Sequence, residues 1–308
     1  MAKDVLSVLD LKDSLELLID NAIKMKTGEQ GQKKTVKKLP LSDAEVVLLF
    51  EKPSLRTKAS FAVAVHQLGG LAVYMGSEEV QIGKRESASD IGKVLSRYFD
   101  AIVYRAFSHK TMLELADAAS VPVINALDDH EHPCQILGDL VTIKEKKGTL
   151  KGLKLAYIGD GNNVCNSLLL GCAIVGMNIS VASPSSYRPK AEVVSEAEKL
   201  ASNSGAKVEI GTNPFKAAEN ADVVYTDVWV SMGQEAEKEA RQKVFMPYQV
   251  TEKVIGKAKP DAIFMHCMPA HRGLEVVADV IDGPKSVVID QAENRLHAQK
   301  AVLLYVLA

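Results

Sequence analysis

The sequence predicts an α/β protein of two domains, each a mainly parallel sheet flanked by helices. Short apolar runs rich in β-branched residues alternate with segments of helical spacing, the pattern of parallel strands joined by right-handed crossovers. A charged, glycine-marked stretch, Ile143 to Gly152 (IKEKKGTLKG), precedes a fresh strand and divides the chain into residues 1–147 and 148–308. At 308 residues, about two domains is also the ordinary expectation from length.

In order, the strand-like runs are Val46 to Phe50, Ala101 to Tyr104, Val121 to Asn125, Leu153 to Ile158, Ile179 to Ala182, Val223 to Thr226, Ile263 to Met265 and Val287 to Ile289. Helical patterns sit between them. After Ser54, the apolar positions Phe61, Val65 and Leu68 share one face, and Gly69–Gly70 marks the stop. Ser87 and Ser89 are candidate caps for a helix carrying Ile91, Val94, Leu95 and Tyr98, with Asp90 in its first turn. Pro133 suits a first helical position, opening a segment with Ile136, Leu137, Leu140 and Ile143 that ends at Gly148. A last helix is expected from about Gln291 to Leu307, packing back on the first domain.

Composition narrows the function. Apolar residues make up 47% and charged ones 25%, with a formal net charge of −2, which gives no reason to expect nucleic acid or an anionic membrane as partner. A chain this long buries enough surface to need no disulfide or metal for stability. Its four cysteines, Cys134, Cys165, Cys172 and Cys267, follow no paired spacing, as expected of reduced thiols in the cytoplasm. The first residues carry acidic groups and no apolar core of signal length, and no apolar run reaches membrane-spanning length.

Parallel sheets place ligands at the carboxyl ends of their strands, so the residues just past each strand matter most. The first strand runs into Ser54, Arg56, Thr57 and Lys58 at a helix start. Cations there oppose the helix dipole unless an anion sits between them. Arg105 comes after the second strand, and ALDDHEHPCQ, with His132 and Gln135, after the third. In the second half the strands lead to GDGNN, DVWVSMG and HCMPAHRG, which supply amide, carboxylate, hydroxyl and thiol groups. His130, His132 and Cys134 are metal-ligand types, but no second cluster accompanies them and no metal is expected. GDGNN is half of a dinucleotide fingerprint without its third glycine, so a nicotinamide oxidoreductase remains a distant alternative.

Taken together, SLRT (Ser54 to Thr57), QIGKRES (Gln81 to Ser87), YR (Tyr104–Arg105), HPCQ (His132 to Gln135), GDGNN (Gly159 to Asn163), DVWVSMG (Asp227 to Gly233), HCMPAHRG (His266 to Gly273) and QAENRLHAQKA (Gln291 to Ala301) stand in the order of the carbamoyltransferases. The chain resembles that family over essentially its whole length. The serine-methionine-glycine segment after an aspartate and the cysteine of HCMP resemble its ornithine branch. The resemblance implies transfer of the carbamoyl group of carbamoyl phosphate to the side-chain amine of L-ornithine, giving L-citrulline and phosphate through a tetrahedral intermediate. It implies a site in the interdomain cleft, no cofactor, and a place in arginine metabolism in either direction. A related acceptor amine, putrescine or acetylornithine, is the nearer alternative.

The same resemblance assigns residues. It makes 1–147 the carbamoyl-phosphate-binding domain and 148–308 the ornithine-binding domain. Ser54, the Leu55 backbone, Arg56 and Thr57 would grip the phosphate, closed over by Arg295. Gln81 would reach into a neighbouring subunit's site, which implies a homotrimer or a multiple of one. Arg105, His132, Pro133, Cys134 and Gln135 would meet the carbamoyl end, and Asn163, Asp227, Ser231 and Met232 would hold ornithine. Cys267 and Met268 would lie where the substrates meet. Arg105, His132, Asp227 and Cys267 are the catalytic set. The family's usual threonine and arginine are here Leu55 and Lys58, so one hydroxyl contact to phosphate is missing. Chemistry requires donors aimed at the carbamoyl oxygen as it gains charge. It also requires an uncharged amine from a group whose solution pKa is about 10.4. The polar segment DVWVSMGQEAEKEA is expected to be a mobile loop that folds over ornithine.

Overall fold

The computed structural model describes residues 4–28, 39–230 and 235–307. Its contacts group into two compact units, Met1–Val141 together with Glu293–Ala308, and Thr142–Ala292. Two helices, Pro133–Lys147 and Val288–Leu307, carry the chain across that division.

The first unit is built on β1 (Glu45–Phe50), β2 (Leu71–Met75), β3 (Ala101–Arg105) and β4 (Val123–Leu127), all parallel in the order β2-β1-β3-β4. The central strands are buried on both faces, which is why they read as continuous apolar runs. Val47, Leu49, Ile102 and Tyr104 pack there with Ile91 and Leu95 of the helix Ala88–Leu95 and with Met112 and Leu115 of the helix His109–Ala118. The helix Leu55–Leu68 buries Thr57, Phe61, Ala64, Val65 and Leu68, one stripe at helical spacing, and stops at Gly69.

The second unit holds β5 (Lys154–Ile158), β6 (Asn178–Ala182), β7 (Val208–Gly211), β8 (Val223–Thr226) and β9 (Ile263–His266), parallel in the order β7-β6-β5-β8-β9. Ile158, Val224 and Phe264 from the strands join Trp229, Phe245, Tyr248 and Val276 in one apolar cluster. The helices Asn163–Ile174 and Ala191–Ser204 pack against each other. In each unit the chain winds outward in one direction, then returns and winds in the other. The reversal lies between β1 and β3 in the first sheet and between β5 and β8 in the second. At such points neighbouring loops diverge and leave room for a ligand.

Three elements differ from the sequence expectation. β2 and β7 are strands missing from the expected set, and both lie at sheet edges. β2 is an unbroken apolar run, LAVYM, directly after Gly69–Gly70, and its pattern is that of a strand; β7 is short and carries Glu209 between Val208 and Ile210. Val287 to Ile289 is not a strand. Ser286 bridges Phe264, the Val287 N–H donates to the Phe264 carbonyl at 3.0 Å, and the helix begins at Val288. Three β-branched residues in a row therefore mark a helix entry beside a strand. All four cysteines are free thiols. Among the described residues no helix is long and apolar enough to cross a membrane.

Candidate active site

In the first unit the groups expected to meet an anion do gather at the β1/β3 reversal. Ser54 is extended and caps the helix Leu55–Leu68, its hydroxyl accepting the Thr57 N–H at 3.3 Å. Arg56 is half-buried in the first turn, Thr57 is buried, and Leu55 points outward, 78% exposed. Arg105 ends β3 directly across from Phe50 of β1 and is itself buried. Arg295, on the last helix, donates to the Thr57 hydroxyl at 2.6 Å. Its backbone comes close enough to the Pro133–Lys147 helix that a Cβ on Gly138 would meet Arg295 Cα at 3.4 Å and Cγ at 3.2 Å. Glycine is therefore tolerated mid-helix, despite a cost of about 1 kcal/mol relative to alanine.

The loop after β4 aims His132 at this group. Leu127 takes a φ of 157° and turns the strand out; the Asp128 carboxylate then accepts the N–H groups of His130 and Glu131 at 2.8 and 2.7 Å and the Asn125 side-chain amide at 2.9 Å. The buried Glu131 carboxylate accepts the Val8 N–H at 3.0 Å, which ties the amino-terminal turn to the same loop. His132 is held well below its ordinary pKa, first by burial and then by the charges of Arg295, Arg105 and Lys52, so it stays neutral near pH 7. Gln135 is fully buried; its amide nitrogen donates to Asp139 at 2.8 Å while its oxygen has no hydrogen-bond partner among the described residues. Such an acceptor suits an –NH2 group. Cys134 is buried behind, its thiol pushed up to about 12 by burial, and is chemically quiet. Lys52 belongs to none of the sequence motifs. It lies two residues before Ser54 over the Phe107 ring, and burial beside Arg105 lowers it to about 8. Gln81 is exposed at the end of the short helix Ser77–Val80, with a φ of 38° and its amide donating to the Glu78 carbonyl.

In the second unit the loops after β5, β8 and β9 converge on Asp227. This buried carboxylate accepts the Asn162 amide at 2.7 Å, the Val228 N–H at 2.8 Å and the Cys267 thiol at 2.9 Å. Asn162 also caps the helix Asn163–Ile174 through its amide oxygen, which accepts from Val164 and Cys165. Of the two asparagines in GDGNN, Asn162 thus serves the scaffold and Asn163 stands at the first helical position. Gly161 allows a close approach, since a Cβ there would sit 2.1 Å from the Pro189 nitrogen. His266, fully buried, accepts the Met268 N–H on Nδ1 at 2.9 Å and faces Glu275 with Nε2 at 3.2 Å, so it carries its proton on Nε2. That contact holds Met268 in a left-handed conformation, φ 54°, and sets the turn displaying Cys267. Asp160 is paired with Arg241, and its carboxyl is pushed up to about 6, chiefly by burial and against the pull of that cation.

Asp227, His266 and Cys267 present ligand atoms within 4.8 Å of one another, a donor set that could take a metal ion. Both His266 nitrogens are already hydrogen-bonded, so an ion would have to displace one contact. Ser231 and Met232 lie outside the described residues. The expected mobile loop is only partly a loop: Glu235–Glu237 forms a tight turn and Lys238–Phe245 a helix.

Comparison with known proteins identifies the family of the chain. The family model for the aspartate/ornithine carbamoyltransferase carbamoyl-P binding domain matches residues 3–145, and that for the Asp/Orn binding domain matches 151–306. The chain is 52% identical over 309 residues to the catabolic ornithine carbamoyltransferase of Thermoplasma volcanium, with 100% of both chains covered. It is 50% identical to the ornithine carbamoyltransferase of Picrophilus torridus at the same coverage. The solved ornithine carbamoyltransferase of Pyrococcus furiosus superposes with a TM-score of 0.93 at 48% identity, covering 99% of this chain and 97% of that one.

Proposed function

The chain belongs to the aspartate/ornithine carbamoyltransferase family, and on that premise we propose that it transfers the carbamoyl group of carbamoyl phosphate to the side-chain amine of L-ornithine, giving L-citrulline and phosphate. The observation that carries this reading is chemical complementarity between the two sheet reversals. One gathers Arg56, Arg105, Arg295 and a neutral His132 around a helix start, and the other gathers a carboxylate, a thiol and an amide.

Each residue type suits one part of the reaction. Ser54, Arg56, Thr57, Arg295 and the backbone N–H of Leu55 bind the phosphate, with charge-assisted bonds reinforced by the helix terminus. Arg105 and His132 donate to the carbamoyl oxygen, Gln135 accepts from the carbamoyl nitrogen, and Pro133 and Cys134 hold the turn that aims them. Asn163, Asp227, Ser231 and Met232 bind ornithine. Asp227 and Cys267, beside Met268, orient its side-chain amine in the uncharged form. The amine nitrogen bonds to the carbonyl carbon, the carbonyl oxygen becomes an oxyanion held by Arg105 and His132, and the carbon–oxygen bond to phosphate then breaks. The leaving phosphate takes the bonding pair and is the final acceptor of the amine proton. No covalent enzyme intermediate is required.

Purified protein given carbamoyl phosphate and ornithine is expected to form citrulline, with far slower carbamoylation of putrescine or N-acetylornithine. Arg56→Ala is expected to lower kcat/KM for carbamoyl phosphate about a hundredfold, the scale of losing one charge-assisted contact. A wild-type protein that makes no citrulline, or that uses putrescine equally well, would falsify the assignment.

Gln81 serves a neighbouring subunit's phosphate site, in a homotrimer or a multiple of one, working in the cytoplasm, where free thiols are at home. Its exposure and the left-handed turn that presents it support this role. Mixing a Gln81→Ala variant with an Arg56→Ala variant, each poorly active, is expected to regain activity through hybrid sites carrying neither change. If refolded mixtures show only the sum of the parent activities, Gln81 acts within its own chain.

A further inference from the structure

Arg241 lies 14 residues beyond Asp227, and no sequence motif marks it. It sits on the helix Lys238–Phe245 and is 3% exposed. Its Nε–H donates to the Trp229 carbonyl at 2.6 Å, one terminal nitrogen pairs with the Asp160 carboxylate, and the other faces Glu237 at 3.4 Å. The guanidinium carbon lies over the Tyr187 ring, 4.6 Å from its centroid, and over the Phe245 ring at 5.4 Å. Asp160 belongs to the loop after β5, Tyr187 to the turn after β6, and Trp229 to the loop after β8. A single buried cation thus joins three carboxyl-end loops of one sheet.

We infer that Arg241 is the positioning residue of the acceptor amino-acid site, locking the β5 and β8 loops in the register that lets Asn162 and Asp227 meet. The inference rests on the proposed reaction. Asn162 and Asp227 come from loops 65 residues apart in sequence, and their 2.7 Å contact holds only while those loops keep their spacing. On one side the β sheet fixes it, through the pairing of Tyr157 with Tyr225. Beyond the strand ends, Arg241 fixes it by holding the Trp229 backbone and the Asp160 side chain at once. The Gly161 N–H donates to the Tyr187 carbonyl at 2.8 Å, so the ring beneath the guanidinium is tied to the same loop. Lysine cannot reproduce this, because an ammonium offers neither the planar fork nor the stacking face. Arg241 touches no reacting atom.

Arg241→Lys is expected to raise the KM for ornithine about tenfold or more while the Kd for carbamoyl phosphate stays within about twofold, since the phosphate-binding residues lie in the other unit. Hydrogen exchange at the Val228 amide, now bonded to Asp227, is expected to speed up while the β5 and β8 amides keep their protection. The double variant Asp160→Asn/Arg241→Met removes both charges together and avoids leaving one buried alone; it should fold and retain the ornithine defect. An unchanged ornithine KM in Arg241→Lys, or equal losses toward both substrates, overturns the inference while normal wild-type citrulline formation leaves the proposed reaction standing. Absence of citrulline from the wild type strikes the reaction instead.

Discussion

Asparagine in place of Asp227 is expected to lower the turnover of citrulline formation about a thousandfold, within the range for losing a positioned proton-handling group, while carbamoyl phosphate binds as before. The variant is nearly isosteric, so the loop after β8 should keep its path. What changes is the hydrogen-bond inventory. The carboxylate accepts from Asn162, Val228 and Cys267 at once. An amide can accept on one side only, and its –NH2 must then face a donor, most directly the Asn162 amide or the Cys267 thiol. The thiol loses its orientation and the amine loses the negative partner that aligns it. Rapid-quench measurement of citrulline at saturating substrates, with carbamoyl phosphate affinity measured separately by equilibrium binding, reads the two effects apart. A variant retaining more than about a tenth of wild-type turnover would remove Asp227 from the chemical step.

Arg105→Gln is expected to cost about a hundredfold to a thousandfold in turnover, the scale of one lost oxyanion donor. It should also move the acidic limb of the rate profile upward in pH. The sign comes from the surroundings of His132. Burial is the larger cause of its depressed pKa, and the charges of Arg295, Arg105 and Lys52 push in the same direction. Removing one of these cations makes the protonated ring less unfavourable, so its pKa rises and the neutral form is lost at a higher pH than in the wild type. For the same reason wild-type stability should fall as pH drops below about 6.5. There the unfolded chain binds a proton at His132 that the folded one excludes. A turnover loss without a shifted limb would mean that Arg105 and His132 do not share one electrostatic environment.

Most of the scaffold was legible because the central strands are buried on both faces and so declare themselves as apolar runs. Ser54 and Ser87 cap the helices expected of them, and Pro133 opens its helix. Of the four edge strands, the buried β4 and β9 were legible and β2 and β7 were not. Glu209 interrupts the short β7, whereas β2, LAVYM, is an apolar run that follows a helix stop so closely that it does not stand out as a separate element. Val287 to Ile289 misled in the other direction, since β-branched residues at a helix entry look like a strand when local composition is all that is visible. Within the candidate site, the residues standing at strand ends are those that the order of motifs singles out. Residues that hold others in place are not among them: Arg241 is 81 positions from Asp160, and Glu131 is 123 from Val8. Nothing local to either sequence position announces a partner so distant. Asn162 stands next to the expected Asn163, yet its cap and its bond to Asp227 emerge only once the loop is folded.

The bond from Arg295 to Thr57 has a consequence for how the molecule is made. Synthesis runs from the amino end at about 5–20 residues per second, and early segments fold while later ones are still being added. The turn at Ser54 to Thr57 leaves the ribosome long before Arg295 exists, so a nascent chain carries the proposed phosphate-binding turn without the arginine that bonds to it. Truncated products that stop short of the last helix should therefore be blind to carbamoyl phosphate, however well their sheets have formed.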